Sequence, residues 1–176
     1  MSAKSRRAHA PNSKTREAIV AVTETPGGCR NKYKLDEKTG RMMLSKIMPE
    51  GMVFPFDFGF IPGTRELDGD PVDVLILHDE PTFPGCQIDC RLTGVFKGRD
   101  FQKGHESAND RMIAVAIASL RFAAVQELTD LDPGFLRQLE EFFVNYKKAR
   151  EVRFEITGRG DSRAAYELLA SRRSSS

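Results

Sequence analysis

Short apolar segments separated by turn residues fill most of this 176-residue chain, and helical patterns appear only near its end. The clearest segment, residues 72–77, is an apolar run typical of a buried strand. Further strands are predicted at 18–23, 32–35, 42–47, 86–96, 112–117 and 152–156. Many short strands followed by late helices favour a mainly β fold, namely a closed β-barrel with helices packed against it.

Two helices are predicted in the last third of the chain. The first begins at Asp132 and Pro133, an acidic cap followed by proline at the first helical position. Apolar side chains then recur at helical spacing, at Phe135, Leu136, Leu139, Phe142, Phe143 and Tyr146. The second helix is predicted to begin near Asp161 and Ser162 and to run through Leu169.

The length suits one compact domain, which we expect to span residues 18–170 between two disordered polar tails, 1–17 and 171–176. Residues 1–17 carry a net charge of +4 and the whole chain carries +2, so the body is slightly acidic. The basic tail either contacts nucleic acid or is simply a solvated arm.

The intracellular environment is predicted from what the sequence lacks. Three cysteines without C-x-x-C spacing argue against a disulfide framework or a zinc site. No apolar run approaches the roughly 20 residues of a membrane helix. The basic N-terminus is not followed by the apolar stretch of a secretory signal. These features predict a soluble, cytoplasmic protein.

Three aspartates, Asp68, Asp70 and Asp73, lie within six residues at the start of the buried strand. The Asp-Gly and Asp-Pro steps favour a tight turn, and three neighbouring carboxylates repel one another unless a positive charge lies among them. Hard divalent cations with oxygen ligands meet that need. The alternative is a solvated acidic turn. An EF-hand loop is excluded because Asp73 stands where that loop needs glycine.

Basic residues on other predicted strands could complete a site. Lys32, Lys46 and Arg111 fall on separate strands that a barrel could aim at one cavity, although each alone could be a solvated surface charge. An aromatic run at 54–60 precedes the acidic cluster and is also explained as a core strand that ends in a turn.

The run from Phe58 to Leu75, F-G-F-I-P-G-T-x-x-x-D-G-D-P-V-D-V-L, resembles the signature of the family I inorganic pyrophosphatases. The similarity extends over roughly residues 18–170. It includes Glu24-Thr25-Pro26, Asn31-Lys32-Tyr33, Pro84-Gly85, the strand from Arg111, and Phe142-Phe143-Val144-Asn145-Tyr146-Lys147.

The resemblance implies a five-stranded, OB-like barrel with peripheral helices, assembled as a homo-oligomer, commonly a hexamer in bacteria. It implies hydrolysis of pyrophosphate by a metal-activated water, with several Mg²⁺ ions, to give two phosphates. By this resemblance the metal ligands are Glu24, Asp68, Asp70, Asp73, Asn109 and Asp100, with Glu106 as the rival of Asp100. Asp70 also matches the residue that accepts the proton of the attacking water. The substrate-binding residues are Lys32, Lys46, Arg111, Tyr146 and Lys147.

Such a site is chemically consistent, because attack of water on pyrophosphate builds negative charge that metals and cationic side chains must stabilise. The sequence departs from the family pattern at the rim. The family usually has glutamate at Lys34, arginine at Lys46, tyrosine at Phe58, aspartate at Asn109 and lysine at Arg111. Since side chains alternate along a strand, Lys34 is expected to share the face of Lys32.

Two other functions fit parts of the sequence. One is a weakened, pyrophosphatase-like protein that binds phosphate or a partner without efficient turnover. The other is a barrel that binds single-stranded nucleic acid, which would need aromatic side chains on a basic face. The aromatic residues instead cluster in apolar runs, and the acidic cluster would repel phosphates without metal, so the sequence argues against nucleic acid.

Overall fold

The structure, a computed structural model, describes residues 17–67, 69–102 and 104–173. The described residues form nine strands, two α-helices and one 3₁₀ turn. The strands are β1 Ile19–Thr25, β2 Asn31–Asp36, β3 Arg41–Ile47, β4 Asp57–Ile61, β5 Val72–Leu77, β6 Gln87–Gln102, β7 His105–Ala108, β8 Arg111–Ala116 and β9 Arg153–Asp161. The 3₁₀ turn is Leu128–Asp130, and the helices are α1 Pro133–Lys148 and α2 Ser162–Arg172. The fold is therefore mainly β with two helices.

Five strands form a ring of pairings. Strand β1 pairs antiparallel with both β4 and β6. Strand β4 pairs antiparallel with β5, β5 runs parallel to β8, and β8 pairs antiparallel with β6. Strands β7 and β9 both pair with the far half of β6, whereas β2 and β3 form a separate hairpin.

Strand β5 is apolar except at Asp73, because both of its faces are covered over most of its length. Leu75 and Leu77 belong to a core that packs against α1, whereas Val74 and Ile76 belong to a second core that includes Leu169 of α2. Burying an aliphatic side chain of this size contributes about 1.5–3 kcal/mol, so this strand anchors the acidic turn that precedes it. The predicted buried strand at 72–77 is confirmed.

Both predicted helix starts are confirmed. The Asp132 carboxylate accepts a hydrogen bond from the Phe135 backbone N–H at 2.9 Å, and Pro133 occupies the first turn. The Asp161 carboxylate likewise accepts from the Ala164 N–H at 2.8 Å. None of the described helices is long and apolar enough to cross a membrane.

Several element boundaries differ from the sequence-based expectation. Strand β9 was predicted to end at residue 156 but continues to Asp161. Strand β6 was predicted to end at residue 96 but continues to Gln102 and turns back through β7 as a hairpin. At the C-terminus, α2 runs to Arg172 and Arg173 forms a β-bridge with Thr64, so the folded body extends three residues past the expected boundary at 170. Residues 1–16 and 174–176, predicted as tails, lie outside the described residues.

Candidate active site

A cavity of about 840 Å³ opens between the β2–β3 hairpin, the acidic turn before β5, the β6–β7 hairpin and the end of α1. It gathers nine of the eleven sequence-predicted site residues: Glu24, Lys32, Asp70, Asp73, Asp100, Asn109, Arg111, Tyr146 and Lys147. Asp68, predicted as a metal ligand, lies outside the described residues. The cavity therefore brings together groups from six elements, β1, β2, β5, β6, β8 and α1, and from two connecting segments.

Lys46 is the one described residue of the predicted set that does not line this cavity. It lies directly opposite Lys32 in the β2–β3 hairpin, but on a strand that is exposed along most of its length. A register shift between Lys32 and Tyr33 occurs at this pair. The Lys46 side chain is exposed and lies outside the cavity lining.

Two of the carboxylates form ion pairs with buried cations. Arg111 Nη1 lies 2.7 Å from Asp73 Oδ2, and Lys147 Nζ lies 2.6 Å from Asp100 Oδ2. Burial, together with the nearby Arg111 charge, lowers the pKa of Lys147, although Asp100 acts in the opposite direction. These pairs let the fold keep opposite charges together in a half-enclosed space without leaving either charge uncompensated.

A third ion pair lies at the cavity's exposed side. Lys34 Nζ is 2.9 Å from Oδ1 and 3.0 Å from Oδ2 of Asp70. This hydrogen bond raises the pKa of Lys34, and the charges of Glu24 and Asp73 add to the effect. Lys32 and Lys34 both line the cavity, as expected for side chains that share one face of β2.

Glu24 lies deeper, at the end of β1, and is almost fully buried. One of its oxygens accepts a hydrogen bond from the Leu35 backbone N–H at 2.9 Å. Burial raises the pKa of Glu24, and the negative charge of Asp73 raises it further. A nearby cation would relieve both effects, because it stabilises the charged carboxylate.

The β6–β7 hairpin carries both candidate acids that the sequence left open, and both line the cavity. Asp100 accepts a hydrogen bond from Asn109 Nδ2 at 2.5 Å in addition to its ion pair with Lys147. Glu106 instead pairs with Arg99 at the hairpin's exposed edge. Asp100 is the more buried of the two, and its Oδ1 has no hydrogen-bond partner among the described residues.

Positively charged side chains surround Tyr146. Its hydroxyl accepts hydrogen bonds from Lys32 Nζ and from Arg150 Nη1, both at 3.1 Å. Burial opposes ionisation of Tyr146, but the two cations outweigh it and lower the tyrosine's pKa. Phe58 supplies its ring face to Lys32, whose Nζ lies 5.3 Å from the ring centroid. The ring thus holds a cation in place where the family's usual tyrosine would offer a hydroxyl.

Arg150 was missed by the sequence reasoning, although it lines the cavity. The available signal was its spacing, since it follows Tyr146 by four residues and the helical pattern places such residues on one face. His78, the residue that follows β5, has a buried charged partner. Its Nε2 lies 3.2 Å from Oδ1 of the fully buried Asp57, outside the cavity lining.

The donor set suits a hard divalent cation. Within the part of the chain that the structure describes, no three His, Cys, Asp or Glu side chains group tightly enough to hold an ion as they stand. Asp70, Asp73 and Asp100 each contact a protein cation instead. The unpartnered, buried Oδ1 of Asp100 and the all-oxygen character of the set nevertheless fit Mg²⁺.

Comparison with known proteins gives a consistent result. The family model described as inorganic pyrophosphatase matches residues 21–175. The inorganic pyrophosphatase of Halalkalibacterium halodurans is 36% identical over 87% of this chain and 91% of its own length. That of Leifsonia xyli is 37% identical over 86% and 91%.

Solved structures agree. The inorganic pyrophosphatase of Thermus thermophilus superposes with a TM-score of 0.81 at 29% identity, covering 94% of this chain and 95% of the other. The Helicobacter pylori structure also gives 0.81, at 26% identity, with 89% and 91% covered. By sequence and by fold, the chain belongs to the inorganic pyrophosphatase family, a family of enzymes that hydrolyse pyrophosphate.

Proposed function

We propose that this chain hydrolyses inorganic pyrophosphate to two phosphates, using Mg²⁺ and a water nucleophile. The observation that carries the proposal is the composition of the cavity. One enclosed space holds the oxygen donors that a divalent cation requires and the buried cations and hydroxyl that a phosphate group requires. Family membership supports the same reaction.

The metal would be held by Glu24, Asp70, Asp73, Asp100 and Asn109, joined by Asp68 from the sequence motif. Bound Mg²⁺ would supply positive charge that makes water more acidic and that neutralises the phosphate oxygens. Asn109 keeps an oxygen ligand at a position where the family usually has aspartate. Its amide nitrogen donates to Asp100, which leaves the amide oxygen for another partner.

Asp70 would accept the proton of the attacking water. Its carboxylate lies at the open side of the cavity, more than half exposed, where water reaches it. A carboxylate in this position removes the proton as the oxygen attacks phosphorus, which prevents positive charge from building on the nucleophile. A serine, cysteine or histidine nucleophile is not needed in this mechanism.

The cationic side chains would bind the two phosphate groups. Arg111 and Lys147 are nearly buried, so their charges act through little solvent. Lys32 and Tyr146 form a hydrogen-bonded pair whose donors can turn toward a phosphate oxygen. Because the leaving phosphate gains negative charge during the reaction, these groups stabilise the transition state more than the ground state.

Three further features belong to this proposal. The ring of five strands would close as an OB-like barrel, supported by the pairing of β1 with both β4 and β6.

The chain would form a homo-oligomer, for which its exposed Phe83, Ile117 and Leu120 offer apolar surface. A monomer mass by light scattering at micromolar concentration would contradict that assembly. A cytoplasmic location is supported by the odd number of cysteines.

The decisive experiment measures phosphate release from pyrophosphate by the purified chain with Mg²⁺, and with Mg²⁺ plus excess EDTA. We expect two phosphates per pyrophosphate in the first condition and no release in the second. Binding of phosphate without turnover in Mg²⁺ would instead support the weakened, pyrophosphatase-like alternative. Full activity in EDTA would contradict the metal requirement.

A further inference from the structure

Lys34 contacts the carboxylate that is proposed to accept the proton. It lies on β2, two residues after Lys32, and its Nζ is within 3.0 Å of both oxygens of Asp70. The ammonium of Lys34 therefore donates hydrogen bonds to both carboxylate oxygens of Asp70. Asp70 therefore meets a protein cation at the place where the proposed function requires it to meet a metal.

This ion pair differs from the two deeper ones in how easily it can separate. The side chains of Arg111 and Lys147 are 7% and 9% exposed, whereas those of Lys34 and Asp70 are 46% and 61% exposed. Solvated ion pairs contribute little net stability because water replaces the lost contact. Lys34 also has a flexible four-carbon stem, so its ammonium can leave without moving the backbone.

We propose that Lys34 is a tethered cation that competes with the divalent metal for Asp70. This inference rests on the proposed function and adds a regulatory element to the same site. A metal ion can ligate Asp70 only after the ammonium has moved away, and the displaced charge then still lies near the ion. Both effects weaken metal binding, so Lys34 sets a higher metal concentration for loading the site.

The expected change in metal affinity follows from the solvation of the Lys34–Asp70 ion pair. A unit charge a few ångströms from a divalent ion repels it modestly where water screens the interaction, and an exposed ion pair is cheap to break. Together these effects correspond to roughly a threefold to tenfold change in metal affinity. An effect of this size changes the metal dependence without abolishing the site.

The test measures Mn²⁺ binding by electron paramagnetic resonance in the absence of pyrophosphate, so that turnover plays no part. Three variants of the full chain are compared with the wild type. Lys34→Met removes the charge and keeps the length of the side chain, whereas Lys34→Arg keeps the charge. Lys38→Met is the matched control, because Lys38 lies in the turn after β2 and lines the same cavity.

We expect Lys34→Met to bind Mn²⁺ about threefold to tenfold more tightly than the wild type. Lys34→Arg and Lys38→Met should bind within about twofold of the wild type, within the variation of ordinary surface charges. Unchanged or weaker binding in Lys34→Met overturns the proposal. An equal gain in Mn²⁺ affinity in Lys34→Met and Lys38→Met also overturns the proposal, because the gain would then come from the general electrostatic potential of the cavity. Melting curves in EDTA verify that every variant is folded.

These results separate the inference from the function on which it rests. If the wild type hydrolyses pyrophosphate but Lys34→Met does not change Mn²⁺ affinity, the competition is wrong and the function stands. If the affinity shifts as expected but no phosphate is released, the proposed reaction is wrong and the competition stands. If Mn²⁺ does not bind at all, both are wrong.

Discussion

Asp70, Asp73 and Asp100 show how one residue type takes different positions in a single cavity. Asp73 and Asp100 face buried cations that hold them in place. Asp70 lies at the exposed side against a half-exposed lysine, so its carboxylate is the one that can exchange partners. A carboxylate that accepts a proton or exchanges a lysine for a metal must be able to change partners, whereas a carboxylate that serves only as a fixed ligand must stay in place.

Replacing the proposed proton acceptor should separate catalysis from folding. We expect Asp70→Asn to lower kcat by about 10²-fold or more, because a positioned general base typically contributes a factor of that size. The measurement is steady-state phosphate release at saturating Mg²⁺. Asp89→Asn is the matched control, since Asp89 is exposed on β6 outside the cavity. A loss of less than about threefold in Asp70→Asn would contradict the assigned role.

Arg150 should act in substrate binding through Tyr146. It donates to the tyrosine hydroxyl and stacks over the ring, with its guanidinium carbon 5.6 Å from the ring centroid. We expect Arg150→Met to raise KM for pyrophosphate by about threefold to tenfold and to change kcat less, because a lost charge at the rim weakens anion binding.

Lys148→Met provides the comparison for Arg150→Met. Lys148 is exposed in the last turn of α1 and does not line the cavity, but its removal changes the net charge equally. We expect it to keep the wild-type KM. If both variants raise KM to the same extent, the effect is one of overall charge and Arg150 has no specific role.

At the scale of elements, the β6–β7 hairpin gives the site its fourth carboxylate. Asp100 reaches the cavity because β6 continues past residue 96, with a register shift against β9 between Lys97 and Gly98. That irregularity re-aims the strand, as β-bulges do. Strand β9 then packs Phe154 against Gly98, where a Cβ atom would lie 2.4 Å from the phenyl ring.

Gly98 should therefore tolerate no side chain. We expect Gly98→Ala to lower the free energy of unfolding by about 1–3 kcal/mol, because the added methyl group overpacks the contact with Phe154. Urea denaturation measures the change. Gly158→Ala is the matched control on the paired strand, since nothing lies within 4 Å of its added Cβ. Equal stability of Gly98→Ala and Gly158→Ala would show that β9 moves aside at no cost.

The whole molecule is joined behind the site by a buried network around Asp57. Its carboxylate accepts hydrogen bonds from the Gly27 N–H at 2.8 Å and from the Thr82 N–H at 3.1 Å, and it pairs with His78. Thr23 of β1 also donates to it, at 3.1 Å. The network connects β1, β4 and the segment after β5, so its charge state affects global stability.

The pH dependence follows from the two pKa directions. Burial opposes the charge on each group, but the pairing outweighs it, so the pKa of His78 is raised above 6.5 and that of Asp57 is lowered below 3.8. The His78 contribution is fully present below pH 6.5 and is lost as pH rises through its folded-state pKa. The Asp57 contribution is present above pH 3.8 and is lost as pH falls through its own.

We therefore expect the wild type to gain stability over His78→Gln mainly in acid. The difference in unfolding free energy between the two proteins should be larger at pH 6 than at pH 9, by about 1 kcal/mol. Chemical denaturation at the two pH values measures it. The same difference at both values would mean that His78 is neutral in the folded protein and only fills space.

Local features were readable from the sequence because they depend on neighbouring residues. The apolar run at 72–77, the Asp132 cap and the Asp161 cap each follow from contacts within a few positions, and all three are confirmed. The acidic cluster and its signature likewise identified the family that the comparisons show. What the sequence by itself determined is therefore both helices, most of the strands and the class of chemistry, whereas β7 and the far ends of β6 and β9 were not predicted.

Tertiary structure alone decided which side chains meet. The ion pair of Asp100 with Lys147 depends on how far β6 extends, and the contact of Lys34 with Asp70 spans 36 positions. His78 contacts Asp57 because β4 and β5 are paired, and no sequence pattern predicts this contact. Strand register and packing bring such groups together, and neither is encoded by the local alternation of apolar and polar residues.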